Sequence, residues 1–122
     1  MGRSKLRLIV DNSTDPLAWC LIAFVTIGAP LIEEVMYRGF LQSAILRLTG
    51  SPWLAILLTS AVFTAIHLPV VQPHALPVLA VLSLAMGVAF ERSKSLAVPI
   101  GMHVAFNILN IAIALAIPSK GL

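Results

Sequence analysis

One cysteine, Cys20, stands in this sequence of 122 residues, which excludes an intrachain disulfide and any CxxC redox or metal motif. Charge is scarce as well. Asp, Glu, Lys and Arg make up 11% of the chain against 59% hydrophobic residues, and a mean hydropathy of +0.99 excludes a soluble globular composition. No basic cluster interleaved with aromatics is present, so the chain has no nucleic-acid footprint. It shows neither an internal repeat nor a low-complexity tract. Covalent lipid signals are missing too: Trp19 sits beside Cys20 with the apolar run after it rather than before, and Leu6 spoils the myristoylation pattern at Met1-Gly2.

What remains is a polytopic membrane protein, all-α, with a bundle of four to five membrane helices as the expected fold. Residues 1–16 form a polar lead with Arg3, Lys5 and Arg7 suited to anionic headgroups, and Asp11 to Asp15 signal a helix start before Pro16. The Asn12-Ser13-Thr14 sequon is incidental this close to the bilayer. A charge-free run from Leu17 to Ile32 continues through Glu33 and Glu34 to about Leu48, with Gly28 and Pro30 predicting a kink or a break into two helices. Pro52 opens a second helix that runs from Trp53 to about Leu68. Pro69, Pro73 and Pro77 then predict a surface loop over Val70 to Pro77. A third span covers Leu76 to Phe90, with Ser83 and Gly87 at small-xxx-small spacing for close packing and no chemistry of its own. After a charged turn at Glu91 to Ser95, Leu96 to Ile117 forms the last span, and 118–122 is a tail. Arg3, Lys5 and Arg7 favour a cytoplasmic N-terminus, but four spans then place Arg47, Arg92 and Lys94 outside, so the basic residues set no orientation.

The stretch Glu33-Glu34-Val35-Met36-Tyr37-Arg38 puts three charges inside apolar sequence. Each costs roughly 2.5–3.5 kcal/mol at mid-membrane, while a large aliphatic returns only about 0.3–0.6 kcal/mol. Glu34 and Arg38 are i,i+4 and can pair on one face. Glu33 is left over, near Tyr37, and must find a partner on another helix or in a polar cavity. On the last helix His103, Asn107 and Asn110 line one stripe, and the second helix carries His67 near its end. All are too polar to face lipid, so burial drives Glu33, His67, His103 and Asn107 toward a common interior.

A carboxylate, two imidazoles and an amide form a hydrolytic set. Glu33 can take a proton from water and return it to a leaving amine, with His67 sharing in the activation. His103 and Asn107 can aim N–H donors at a developing oxyanion. Glu34 with Arg38 is a brace for the site, and Tyr37 a hydrogen-bond donor to the cavity. Glu33, His67 and His103 are also the ligand types of a catalytic zinc site, but no HExxH spacing places two histidines on one helix turn. A metal-free mechanism without cofactor is therefore expected, with zinc as the alternative.

The motifs resemble a known family. Glu33 to Arg38 matches EExxxR, Phe63-Thr64-Ala65-Ile66-His67 matches FxxxH, and His103-Val104-Ala105-Phe106-Asn107 matches HxxxN, in that order. This set is similar to the CPBP intramembrane proteases (CAAX protease and bacteriocin-processing, or Abi, proteins), over roughly Leu17 to Ile117. The resemblance implies peptide-bond hydrolysis, with Glu33 and His67 activating water and His103 and Asn107 forming the oxyanion site. It also implies additional N-terminal spans, where sixteen residues here precede the motif-bearing core at 17–117.

Blander roles stand beside these. Glu34 with Arg38 is a structural ion pair before it is anything catalytic, His74 is a solvated loop residue, Phe63 and Phe106 pack, and Asn110 is interhelical glue. Three functions fit the residues: an intramembrane endopeptidase, a non-catalytic immunity or scaffold protein on the same fold, and a proton or ion conductor. The conductor is disfavoured because the polar groups cluster at one depth and the third helix is featureless. The endopeptidase would act on a membrane-embedded or membrane-associated peptide in the lipid bilayer, a prokaryotic plasma membrane being the expected location.

Overall fold

In the computed structural model, residues 8, 11 and 14–117 are described. Most of the polar lead, with Arg3, Lys5, Arg7 and the Asn12-Ser13 part of the sequon, lies outside the described residues, as does the tail at 118–122. The rest is all helix: α1 at Pro16–Thr49, α2 at Pro52–His67, α3 at Leu76–Ser93 preceded by a 3₁₀ turn at Pro73–Ala75, and α4 at Ala97–Ala116.

The starts and stops follow local chemistry. Asp15 accepts from the Leu17 amide and Ser51 from the Leu54 amide, and each is followed by a proline at the first helical position. Gly50, at φ +69°, closes α1 in the left-handed conformation. The prolines around His74 do not hold an open loop as far as Pro77. Pro73 and Pro77 instead occupy first-turn positions, where a missing N–H costs nothing, and the helix begins at Leu76. The charged turn is shorter than expected as well, because α3 runs through Glu91, Arg92 and Ser93 to end at Lys94.

The expected break at Gly28 and Pro30 is a π-helical segment, Phe24–Gly28, inside a continuous 34-residue α1. Widening the turn by one residue lets the chain pass Pro30 without ending the helix. A second π segment covers Val35–Gln42.

Three helices are long and apolar enough to cross a membrane: Pro16–Thr49, Pro73–Ser93 and Ala97–Ala116. At 16 residues α2 is shorter than the roughly 20 a full span takes. The count is therefore four helices, with no fifth among the described residues. Burial is inverted relative to a water-soluble domain. Among the described residues the buried apolar side chains are Ala55, Ile56, Phe63 and Met86 with the prolines Pro30 and Pro99, whereas Thr26, Glu34, Arg38, Gln42, Thr59, Ser60, Ser83 and His103 are all buried polar groups. Trp19, Phe40, Leu48, Val70 and Val81 are among the many large apolar side chains left exposed. Such a distribution is stable only with hydrocarbon as the solvent.

Candidate active site

The polar interior begins with one line on α1. Glu34, Arg38 and Gln42 are spaced by four and are at most 1% exposed. Arg38 Nη1 donates to Glu34 Oε1 at 3.2 Å and lies equally close to Oε2, the pair that the i,i+4 spacing predicts. Both reach α3 or α4 as well. Arg38 Nη2 donates to the Ser83 carbonyl and hydroxyl, each at 2.7 Å, and Gln42 Nε2 donates to the Gly87 carbonyl at 3.0 Å. The third helix is thus not featureless, as its residues suggested: Ser83 and Gly87 are the acceptors that anchor the charged face of α1. Gly87 also lets the helices meet, since a Cβ there would stand 3.0 Å from Ile56 Cγ2 and 3.2 Å from Gln42 Oε1.

Glu34 has a further partner in His103 Nδ1, 2.8 Å from its Oε1. A carboxylate paired with an arginine only accepts, so Nδ1 of His103 carries the proton. His67 Nδ1 lies 2.7 Å from the Phe63 carbonyl, another pure acceptor, and carries a proton for the same reason. Both rings therefore turn Nε2 the other way, and both meet Glu33: Oε2 is 4.0 Å from Nε2 of His67 and 3.8 Å from Nε2 of His103. Phe63 sits behind this group as a packing hub, with the His67 ring centroid at 4.5 Å, Tyr37 edge-on at 5.0 Å, the Arg38 guanidinium at 5.2 Å and His103 at 6.0 Å. Tyr37 thus packs on Phe63 and is not among the residues lining the cleft described next.

Glu33, His67, His103 and Asn107 line one cleft of about 610 Å³, together with Phe106 and Asn110. The stripe of His103, Asn107 and Asn110 on α4 faces it as a unit. Asn107 Nδ2 donates to the Val25 carbonyl at 3.2 Å, a contact to the π segment of α1 that its sequence neighbours do not announce. His74 belongs to the wall as well, on the 3₁₀ turn beside Val71 and Val78. Read from sequence it was only a solvated loop residue; its spacing carries no signal for the cleft, because the turn's docking is a tertiary event.

The three zinc-type ligands are set wider than a bound ion would hold them. Ligand atoms at about 2.0–2.1 Å around one tetrahedral zinc stand about 3.3 Å apart, whereas both imidazole nitrogens are more distant than that from Glu33 Oε2, at 4.0 and 3.8 Å. Among the described residues no group of three His, Cys, Asp or Glu side chains is arranged to hold an ion.

A family model described as type II CAAX prenyl endopeptidase Rce1-like matches residues 15–109, a stretch that contains Glu33, His67, His103 and Asn107. Comparison with curated proteins and with solved structures gives no match.

Proposed function

The chain belongs to the type II CAAX prenyl endopeptidase Rce1-like family, and from that membership and the geometry of the cleft we propose that it is an intramembrane endopeptidase using Glu33, His67, His103 and Asn107. The observation that carries the proposal is the convergence of two imidazole Nε2 atoms on one carboxylate oxygen, each ring locked through its Nδ1. An Oε2 and an unprotonated Nε2 are both acceptors and repel; a water between Glu33 and His67 donates a hydrogen to each and is polarised by both. His103 serves a different end. With its Nδ1–H donated to Glu34, it has an Nε2–H to offer in its doubly protonated form, beside the carboxylates of Glu34 and Glu33. In that form it supplies, with the Asn107 amide, donors for an oxyanion.

The reaction then balances within the chain's own groups. The water oxygen bonds to the substrate carbonyl carbon while Glu33 takes one of its protons. The carbonyl oxygen becomes an oxyanion held by His103 and Asn107. As the carbon–nitrogen bond breaks, Glu33 returns that proton to the leaving nitrogen, and the second proton of the water passes from the new carboxyl group to the amine, giving a carboxylate terminus and an ammonium. No step requires a metal. Glu33 and His67 remain partly open to the cleft, at 30% and 20% side-chain exposure, as groups that handle water must be.

The test is cleavage of a quenched fluorescent peptide ending in a prenylated CAAX sequence, by protein in liposomes, with membrane proteomics of cells carrying wild-type or Glu33→Ala protein alongside. Turnover by wild type and none by the variant is expected. Equal peptide turnover by both, or identical membrane proteomes together with no cleavage, sinks the enzyme reading in favour of a non-catalytic immunity or scaffold role.

A further inference from the structure

The π segment at Phe24–Gly28 leaves the Val25 carbonyl of α1 without a helical donor. A carbonyl in an α-helix accepts from the N–H four residues on, and in a π turn from the fifth. For Val25 the α partner is Ala29, but Ala29 gives its N–H to Phe24. Its π partner is Pro30, which has no N–H. Neither register serves the Val25 oxygen, and the donor that reaches it is Asn107 Nδ2 from α4, at 3.2 Å. Val25 is 42% exposed and lines the cleft, so this bond is made at the edge of the cleft rather than in the buried interior.

We infer that Pro30 is a positioning residue for the site: by withholding its N–H it reserves the Val25 carbonyl for Asn107, and so fixes the plane of that amide and the direction of its second N–H. An asparagine amide has two N–H bonds about 120° apart in one plane. Tying one to a rigid helix carbonyl removes the free rotation that would otherwise spread the other over a cone. Asn107 lines the cleft beside Glu33, His67 and His103, so orienting its amide orients a donor at the reacting centre. The inference rests on the role of Asn107 proposed above; the bond itself does not.

Two measurements separate these. Val25-Thr26 is the single Val-Thr dipeptide in the sequence, so carbonyl-labelled valine with amide-labelled threonine gives one cross-peak that reports the Val25 carbonyl in micelles. Asn107→Ala should shift that carbon resonance upfield, as for a carbonyl that loses its donor. Pro30→Ala and Pro30→Gly, which both restore an N–H at position 30, should speed solvent exchange of the Asn107 side-chain amide. In the peptide assay Pro30→Ala should lower kcat on the order of 10²-fold with KM changed less than about twofold. Its melting temperature should hold or rise, because alanine is the better helix former. In an Asn107→Ala background the same substitution should add nothing.

A Val25 resonance indifferent to Asn107→Ala overturns the inference, even if both Pro30 variants fail to fold. Wild-type kcat in Pro30→Ala overturns it too, as does a loss that is fully additive with Asn107→Ala. If wild type leaves the prenylated peptide uncut, the proposed activity falls, while the resonance still decides whether Pro30 frees Val25 for Asn107.

Discussion

Replacing Glu34 by glutamine keeps the shape of the side chain and removes its charge at the most connected point of the interior. Arg38 Nη1 at 3.2 Å and His103 Nδ1 at 2.8 Å both donate to Oε1, while Oε2 stands 3.2 Å from Nη1 as the ion-pair partner without a hydrogen bond. A glutamine oxygen in place of Oε1 can still accept from both, but the NH₂ that replaces Oε2 turns donor hydrogens toward the guanidinium and the negative charge is gone. Glu34 and Arg38 are both 0% exposed, and breaking such a buried pair costs about 3–5 kcal/mol. Arg38 keeps its two bonds to Ser83, which places the expected loss near the lower end, about 3 kcal/mol. For a chain of this length that corresponds to a melting temperature lower by roughly 10 °C. Turnover should fall as well, by roughly 10–100-fold, because the imidazole of His103 loses the carboxylate that orients it. Thermal melts in detergent and prenylated-peptide cleavage in liposomes read the two effects separately. A variant that melts like wild type and is wholly inactive refutes the reasoning: Glu34 would then be a reacting group rather than the brace, and the roles of the two glutamates would have to be exchanged.

Three further outcomes are expected. Glu33→Gln should abolish turnover while shifting the melting temperature by less than about 2 °C, equivalent to less than about 0.5 kcal/mol, since Glu33 is 30% exposed, to the cleft; near-wild-type turnover would remove it from the proton-transfer role. Gly87→Leu should destabilise by about 1–3 kcal/mol, because the added side chain must enter space where even a Cβ meets Ile56 at 3.0 Å; an unchanged melt would show that α3 does not pack on α1 and α2 at this point. Chelation of purified protein, followed by zinc add-back, should leave peptide cleavage unchanged; loss and restoration of activity with stoichiometric zinc would favour the alternative in which Glu33, His67 and His103 close around an ion.

The parts of this molecule legible in the sequence are those that depend on side-chain identity. The Glu34–Arg38 pair could be read from spacing alone, and the meeting of Glu33, His67 and His103 from the cost of turning any of them toward hydrocarbon. What escaped depends on the backbone. Ser83 and Gly87 hold Arg38 and Gln42 largely through carbonyl oxygens, and every residue has a carbonyl, so nothing in their names marks them as acceptors. The only trace was their spacing, four apart, matching the four between Arg38 and Gln42. Pro30 was visible as a disturbance, but a proline in a helix can be accommodated by a break, a kink or a π turn. The carbonyl that the π turn frees, at Val25, is met by Asn107, 82 positions further on. In a water-soluble domain the apolar pattern marks the interior and polar residues are scattered outside. Here apolar residues cover the outside and carry little information about which face is inward, so the few polar residues become the positional signal. That inversion is why the polar cluster could be located from the sequence more readily than the packing that supports it: the same scarcity of polar groups that singles out Glu33 and His103 leaves α3 to do its work through groups the sequence does not distinguish.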